Sequence, residues 1–421
     1  MKRFNKKKAI IISLISIILL GTSSYIYYNS IPKEEPLIGV YIAGTYSETL
    51  PSKGEGYKVD KIVCDNNKNA SWDYVKWGIK LSNWGVRSRC NIYFKSLDTV
   101  TIANKTSYLD ELQRCPSMNS DGTLTVTGEE NIYGYLCKAK DAYGDSYYYR
   151  GNVTNNYVLF AGKYWRIIRY NGDGSVRVIY DGTSAHANDE ESEDWQISED
   201  RQIGESKFNS SDNDNAYYGY MYGKVGASTY AETHANTNNS TIKTYIDTWY
   251  ENNIKGTTNE KYIVDNIFCN DRSFAPDNRG TGAGDSTTYY RWYNFANSSK
   301  NNKMMLICPQ KNDAFTVNDT SKGNGALTYG IGLITADEVV LGGGWSLRDS
   351  SLRNYHYYLY TGRDYWTSSP GGYNDMHIVY PDGDAGGDMP VDIAIGVRPV
   401  LNLSPEVLKN GDGTASNPFH P

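Results

Sequence analysis

Histidine is scarce in this chain, five residues in 421, and cysteine is limited to six. None of His186, His234, His356, His377 and His420 stands in an HExxH context, and there is no GxSxG. The zinc-peptidase and nucleophile-elbow signatures are therefore missing. No CxxC occurs, and no cysteine sits at zinc spacing from a histidine, which argues against a metal centre. Basic charge is lacking too. Forty-two Lys and Arg against 48 Asp and Glu leave a net charge of −6, so nucleic acid is not the expected partner.

What the chain does have is one long uncharged apolar run. Residues 1–8, MKRFNKKK, are strongly basic, and Ala9 to Tyr28 carry no charge. About 20 helical residues cross a bilayer core, and the basic cluster before them predicts a cytoplasmic N-terminus. Residues 9–28 are thus expected to be a single transmembrane anchor, with Tyr25, Tyr27 and Tyr28 at the interface and the C-terminal ectodomain outside the cell. A cleaved signal peptide with an apolar core over Ala9 to Leu20 is the alternative; its nearest small-residue site is Gly21-Thr22-Ser23. Both readings export the bulk of the chain. That bulk holds most of the 38 Tyr and 9 Trp, far too many aromatics for a disordered polypeptide. Tyrosine offers contact area plus a hydroxyl, which suits a binding surface as well as half-buried strands.

An even cysteine count in an exported chain predicts disulfides. Nearest-neighbour pairing, Cys64–Cys90, Cys115–Cys137 and Cys269–Cys308, is the simplest expectation, although sequence alone does not choose the connectivity. Each such loop contributes about 3–4 kcal/mol in the chain-entropy picture.

Composition divides the rest. Residues 29–50 read as a stalk with Pro32 and Pro36, and 51–150 as a small disulfide-stapled β-rich domain. Residues 151–405 read as a larger α+β domain, and 406–421 as a polar tail. In the larger domain YVLFAGKYWRIIRY and SVRVIY predict strands joined at Asn171-Gly172. Residues 186–215 are acidic and loop-like. Ser240 caps a predicted helix whose apolar stripe is Ile242, Tyr245, Ile246, Trp249 and Tyr250. Thr335 and Glu338 form a capping box for a second helix that Gly342 to Gly344 should end.

Five stretches occur in a fixed order: NYVLFAGKYWRII (156–168), IFCNDRS (267–273), LTYGIGLITADEVVLGGG (327–344), YWTSSP (365–370) and GVRPVLNL (396–403). Together they resemble a family of Gram-positive gut-bacterial surface proteins. The last domain of that family is similar to the formylglycine-generating-enzyme (sulfatase-modifying-factor) branch of the C-type lectin fold. The resemblance spans roughly 155–405 and implies a mixed domain with many loops, two helices and a small sheet ending in the GVRP strand. It does not imply the oxidase: catalytic members need two reactive cysteines in the C-terminal half, and none follows Cys308 here. The segment around CDNN and CNIYF resembles a module often found beside that domain.

In that fold the stretch between YWTSSP and GVRP builds an exposed binding face. Tyr373, Asn374, Asp375, His377, Tyr380, Asp382, Asp384, Asp388 and Asp392 are the candidate ligand-binding residues, aromatic anchors among adaptable polar groups. The composition is also compatible with diversification by a retroelement that mutates adenines. Calcium is a further expectation, on the D-x-D-x-x-x-D run of Asp382, Asp384 and Asp388, although that run fails the EF-hand pattern. No other cofactor or metal is expected. No Glu-Pro-Asn or Trp-Asn-Asp sugar motif is present. Trp366 and Arg398 are expected to be structural, Arg398 as a buried partner of a carboxylate holding the last strand. The expected function is non-catalytic binding or adhesion at the cell surface toward a protein or glycan. An enzyme acting on envelope or host glycans, through paired carboxylates, and a structural spacer are the alternatives.

Overall fold

The computed structural model describes residues 38–51, 57–65, 69–73, 77–82, 89–96, 115–126, 134–188, 190, 201–276, 280–284, 287–293, 303–344, 355–372, 375–385 and 387–421. The basic segment 1–8, the expected anchor 9–28, the first part of the stalk, Tyr373 and Asn374 lie outside these residues. Among the described residues no helix is long and apolar enough to cross a membrane.

The chain is mostly β-sheet with few helices. Part of the expected stalk is strand. Ile38–Ile42 pairs antiparallel with Thr45–Ser47 and parallel with Cys90–Ser96, which also pairs with Tyr57–Cys64. Alternation along these strands turns Val40, Ile92 and Phe94 to one side, where Trp72 packs edge-on against Phe94 at 5.2 Å between centroids. Val264 of the larger domain joins the same apolar cluster, so the two units share a buried seam.

The larger domain is built on a seven-stranded sheet. Its order runs Ile331–Gly332, Val400–Leu403, Val176–Gly182, Lys163–Tyr170, Gly144–Gly151, Gly134–Asp141, with Tyr157–Phe160 also paired to Lys163–Tyr170. Hydrogen bonding therefore crosses the position expected to divide the domains, because the 134–151 hairpin belongs to this sheet. The run expected as one strand from Tyr157 is itself a hairpin, turning at Ala161 and Gly162 with φ of 52° and 70°. Two successive left-handed residues make the tight turn that matches strand twist. At the next turn Gly174, not Gly172, takes the left-handed position (φ 81°), and its N–H donates to Asn171 O.

A second sheet orders Glu205–Lys207, Ala394–Gly396, Tyr365–Gly372, Asp375–Val379 and Gly387–Pro390. Both expected helices form. Thr241–Asn253 is capped by Ser240 Oγ and buries Ile242, Ile246 and Tyr250. Ala336–Gly342 carries the Thr335/Glu338 capping box and ends at left-handed Gly343. The disulfides are Cys64–Cys90, Cys115–Cys137 and Cys269–Cys308, the nearest-neighbour set. Residues 406–421 fold back onto the domain: Phe419 is buried and bridges Val158, and Asn410 pairs with His420.

Buried charge fixes the interior. Arg398 donates to Tyr180 O, Leu359 O and Asp181 Oδ1 at 3.0, 3.0 and 2.9 Å. Asp181 also receives Arg201 Nη2 at 2.8 Å and faces Arg166 Nη1 at 3.8 Å. These arginines keep the carboxyl below its usual range although burial opposes them. Trp366, fully buried, donates its indole N–H to Ser206 O at 2.7 Å and meets Phe208 edge-on. Glu338 serves twice, closing the helix cap and pairing with Arg169 and Arg177.

Candidate functional site

The stretch expected to be an exposed binding loop is largely a β-hairpin. Asp375 and His377 lie on Asp375–Val379 and Asp388 on Gly387–Pro390, with His377 directly opposite Asp388. His377 Nδ1 and Asp388 Oδ1 stand 3.1 Å apart, although not aligned as a hydrogen bond. The His377 ring is wholly buried and packs edge-on to Trp292. A side chain at position 371 would crowd it: a Cβ on Gly371 would lie 3.1 Å from Nε2 and 3.3 Å from Asp388 Oδ1. Asp375 is half-buried. Burial, then the neighbouring Asp388, pushes its carboxyl up to about 6, with His377 opposing and Asp212 adding to the rise. Tyr380 is also raised by burial and by Asp388.

Asp382 and Asp384 shape the turn that follows the first strand of the hairpin. Asp384 N–H donates to Asp382 Oδ1 at 3.1 Å, and Tyr380 N–H donates to Asp384 O at 2.9 Å. Asp392 follows the hairpin and is partly exposed. The structure thus gathers Asp375, His377 and Asp388. Among the described residues no group of three or more His, Cys, Asp or Glu is placed to hold a metal ion.

A second place is roomier. A cleft of about 790 Å³ opens between the N-terminal sheet and the larger domain. Pockets of this size, set where two units meet, are where ligands commonly bind. Trp72, Asp73 and Lys80 line one wall; Tyr329, Glu260 and Glu406 line the other. Lys80 Nζ pairs with Asp73 at 3.0 Å. Tyr329 is held in one orientation from both sides. Its ring stacks on Tyr250 at 4.8 Å and 18° between planes. Its hydroxyl donates to Glu251 Oε1 at 2.6 Å and accepts from Lys255 Nζ at 2.5 Å. These bonds lower the Glu251 carboxyl and raise the Lys255 ammonium. Tyr250 is anchored in turn by the helix Thr241–Asn253, and burial raises its phenol well above the ordinary range.

The cleft combines a fixed, partly exposed aromatic ring with carboxylates and ammonium groups of both signs. Such a set can stack against a flat ligand and hydrogen-bond its edge. Sequence reasoning placed Tyr250 in the core stripe and passed over Tyr329 and Trp72. The lining comes from positions some 250 residues apart, as Trp72 and Tyr329 illustrate, so no local pattern marks it. Comparison with protein-family models, curated proteins and solved structures finds no match to this chain.

Proposed function

We propose that this chain is a non-catalytic binding or adhesion protein displayed at the cell surface, its larger domain belonging to the C-type lectin class of folds. The observation that carries the binding part is the 790 Å³ cleft with Tyr329 pinned at its wall. An aromatic ring already locked by stacking and two hydrogen bonds loses little freedom when a ligand arrives, which favours affinity. Surface display rests on the basic N-terminus followed by an uncharged apolar run, and on three disulfides. The lectin-type assignment rests on the ordered stretches from NYVLFAGKYWRII to GVRPVLNL and on a β-rich domain with two capped helices.

The test uses soluble protein from residue 38 onward on glycan and protein arrays, followed by calorimetry on the best ligand. A ligand bound by the parent protein and lost in Tyr329→Ala supports the cleft. Chemical turnover of that ligand would refute the non-catalytic reading, and its absence from every array would refute specific binding. Membrane retention of the full chain, resistant to salt and alkaline wash, tests the anchor; soluble full-length protein in the medium would overturn it.

A further inference from the structure

A second groove, of about 510 Å³, lies against the helix Thr241–Asn253. Thr241, Thr244, Tyr245 and Thr248 line it, and their spacing of i, i+3, i+4 and i+7 puts them on one helical face. Ile242, Ile246 and Tyr250 fill the core from another face. The three threonines are exposed. Threonine is a poorer helix former than alanine, lysine or glutamate, so helix formation does not account for this stripe. None of the described residues lining the groove is charged, whereas five carboxylates and three lysines line the cleft beside Tyr329.

The hydroxyl protons of the groove are already committed. Thr244 Oγ1 donates to Ser240 O at 3.0 Å and Thr248 Oγ1 to Thr244 O at 2.8 Å. Tyr245 donates to Ile203 O at 3.1 Å and Ser206 Oγ to Lys207 O at 2.9 Å. Burial, then Glu205, raises the Tyr245 phenol, so it keeps that proton. To a ligand these four oxygens offer only lone pairs. Asn209, buried at the same groove, gives one amide hydrogen to Tyr217 O at 3.3 Å and keeps its second. A matching ligand therefore donates mostly and accepts once, which a sugar hydroxyl can do and an ammonium group cannot. An anion would find no counter-charge. The helix amides do not replace one, because Ile242 N–H donates to Phe208 O and Lys243 N–H to Ser240 Oγ. We propose that this groove binds a short uncharged glycan, whose hydroxyls donate to Thr244, Thr248, Tyr245 and Ser206 while one accepts from Asn209. The wall is set before a ligand arrives: Gly204, at φ 130°, leaves space that a Cβ would take from the Tyr245 hydroxyl. The groove shares no lining residue with the cleft at Tyr329, and it stands whether or not the cleft binds anything.

The test titrates the full chain, in a detergent without sugar headgroups, with gluco-, galacto-, manno- and N-acetylglucosamine oligosaccharides and with matched uronic acids and amino sugars. At least one uncharged series should bind, with an affinity that does not change as NaCl rises from about 50 to about 500 mM. The matched acids and amines should bind about tenfold more weakly, having charge to desolvate and no partner for it. Thr244→Val with Thr248→Val keeps the shape and removes two acceptors, and should weaken binding about tenfold. Thr244→Ser, which restores the hydroxyl, should bind like the parent, and Tyr329→Ala should leave the affinity unchanged. Thermal melts separate lost binding from lost fold. If the valine variant unfolds, Thr244→Lys, a better helix former, gives a second reading by closing the groove. Equal affinity for the acids or amines, unchanged affinity in the folded valine or lysine variant, or no binding of any uncharged series would overturn the proposal. Loss of binding in Tyr329→Ala would place the glycan in the cleft and overturn the groove as its site.

Discussion

Replacing Asp375 with Asn should stabilise the protein at neutral pH and leave it unchanged in acid. In the folded chain the Asp375 carboxyl is pushed up to about 6 from an ordinary value of 3.8, by burial first and by Asp388 second. The native state therefore holds that proton more tightly than the unfolded chain does. Its contribution to stability is complete below the unfolded value and is lost as pH rises through about 6. Two units correspond to about 3 kcal/mol, and partial exposure to solvent reduces this to about 1–2 kcal/mol. Asparagine keeps the shape and removes the charge, so this slope should vanish in the variant. Urea denaturation of both proteins at pH 4, 5, 6, 7 and 8, with disulfides intact, measures the difference. The expected result is no difference near pH 4 and a gain of about 1–2 kcal/mol for Asp375→Asn above pH 7. A difference that is flat with pH, or a variant less stable than the parent at pH 7, would refute the placement of Asp375 beside Asp388 in a partly dry site.

Asp181→Ala should cost about 3–5 kcal/mol, because Arg201, Arg398 and Arg166 would lose their shared buried counter-charge; a thermal melt within a degree of the parent would contradict this. Ser240→Ala should lower stability by about 1 kcal/mol through loss of the bond from Lys243 N–H, read by chemical denaturation. Peptide mapping under non-reducing conditions should recover Cys64 with Cys90, Cys115 with Cys137 and Cys269 with Cys308, and any crossed pair would be a contradiction.

Local chemistry explains which features were legible in the sequence. The Ala336–Gly342 helix is announced by Thr335 and Glu338 within four residues, and the structure makes both reciprocal bonds. The Thr241–Asn253 helix is equally local, a serine cap before a stripe of period 3.6. Cysteine neighbours in sequence proved to be neighbours in space. The hairpin at Ala161-Gly162 was hidden because alanine seldom adopts a left-handed conformation, so the run read as one strand. Phe419 was hidden inside a polar tail, yet one buried ring and a strand bridge to Val158 suffice to dock it. At the candidate sites legibility ended sooner. His377 and Asp388 were both named, but only the register of two strands sets them opposite each other and buries the histidine. The cleft depends on how two units pack, which periodicity and spacing do not encode.

The most direct measurement is calorimetric titration of the soluble chain and of Tyr329→Ala with the leading array ligand, alongside their thermal melts. Removing the ring that stacks on Tyr250 and bonds Glu251 and Lys255 should weaken binding at least tenfold, about 1.4 kcal/mol, with the larger domain still folded. Equal affinity in the two proteins would place the ligand elsewhere and contradict the cleft as the binding site.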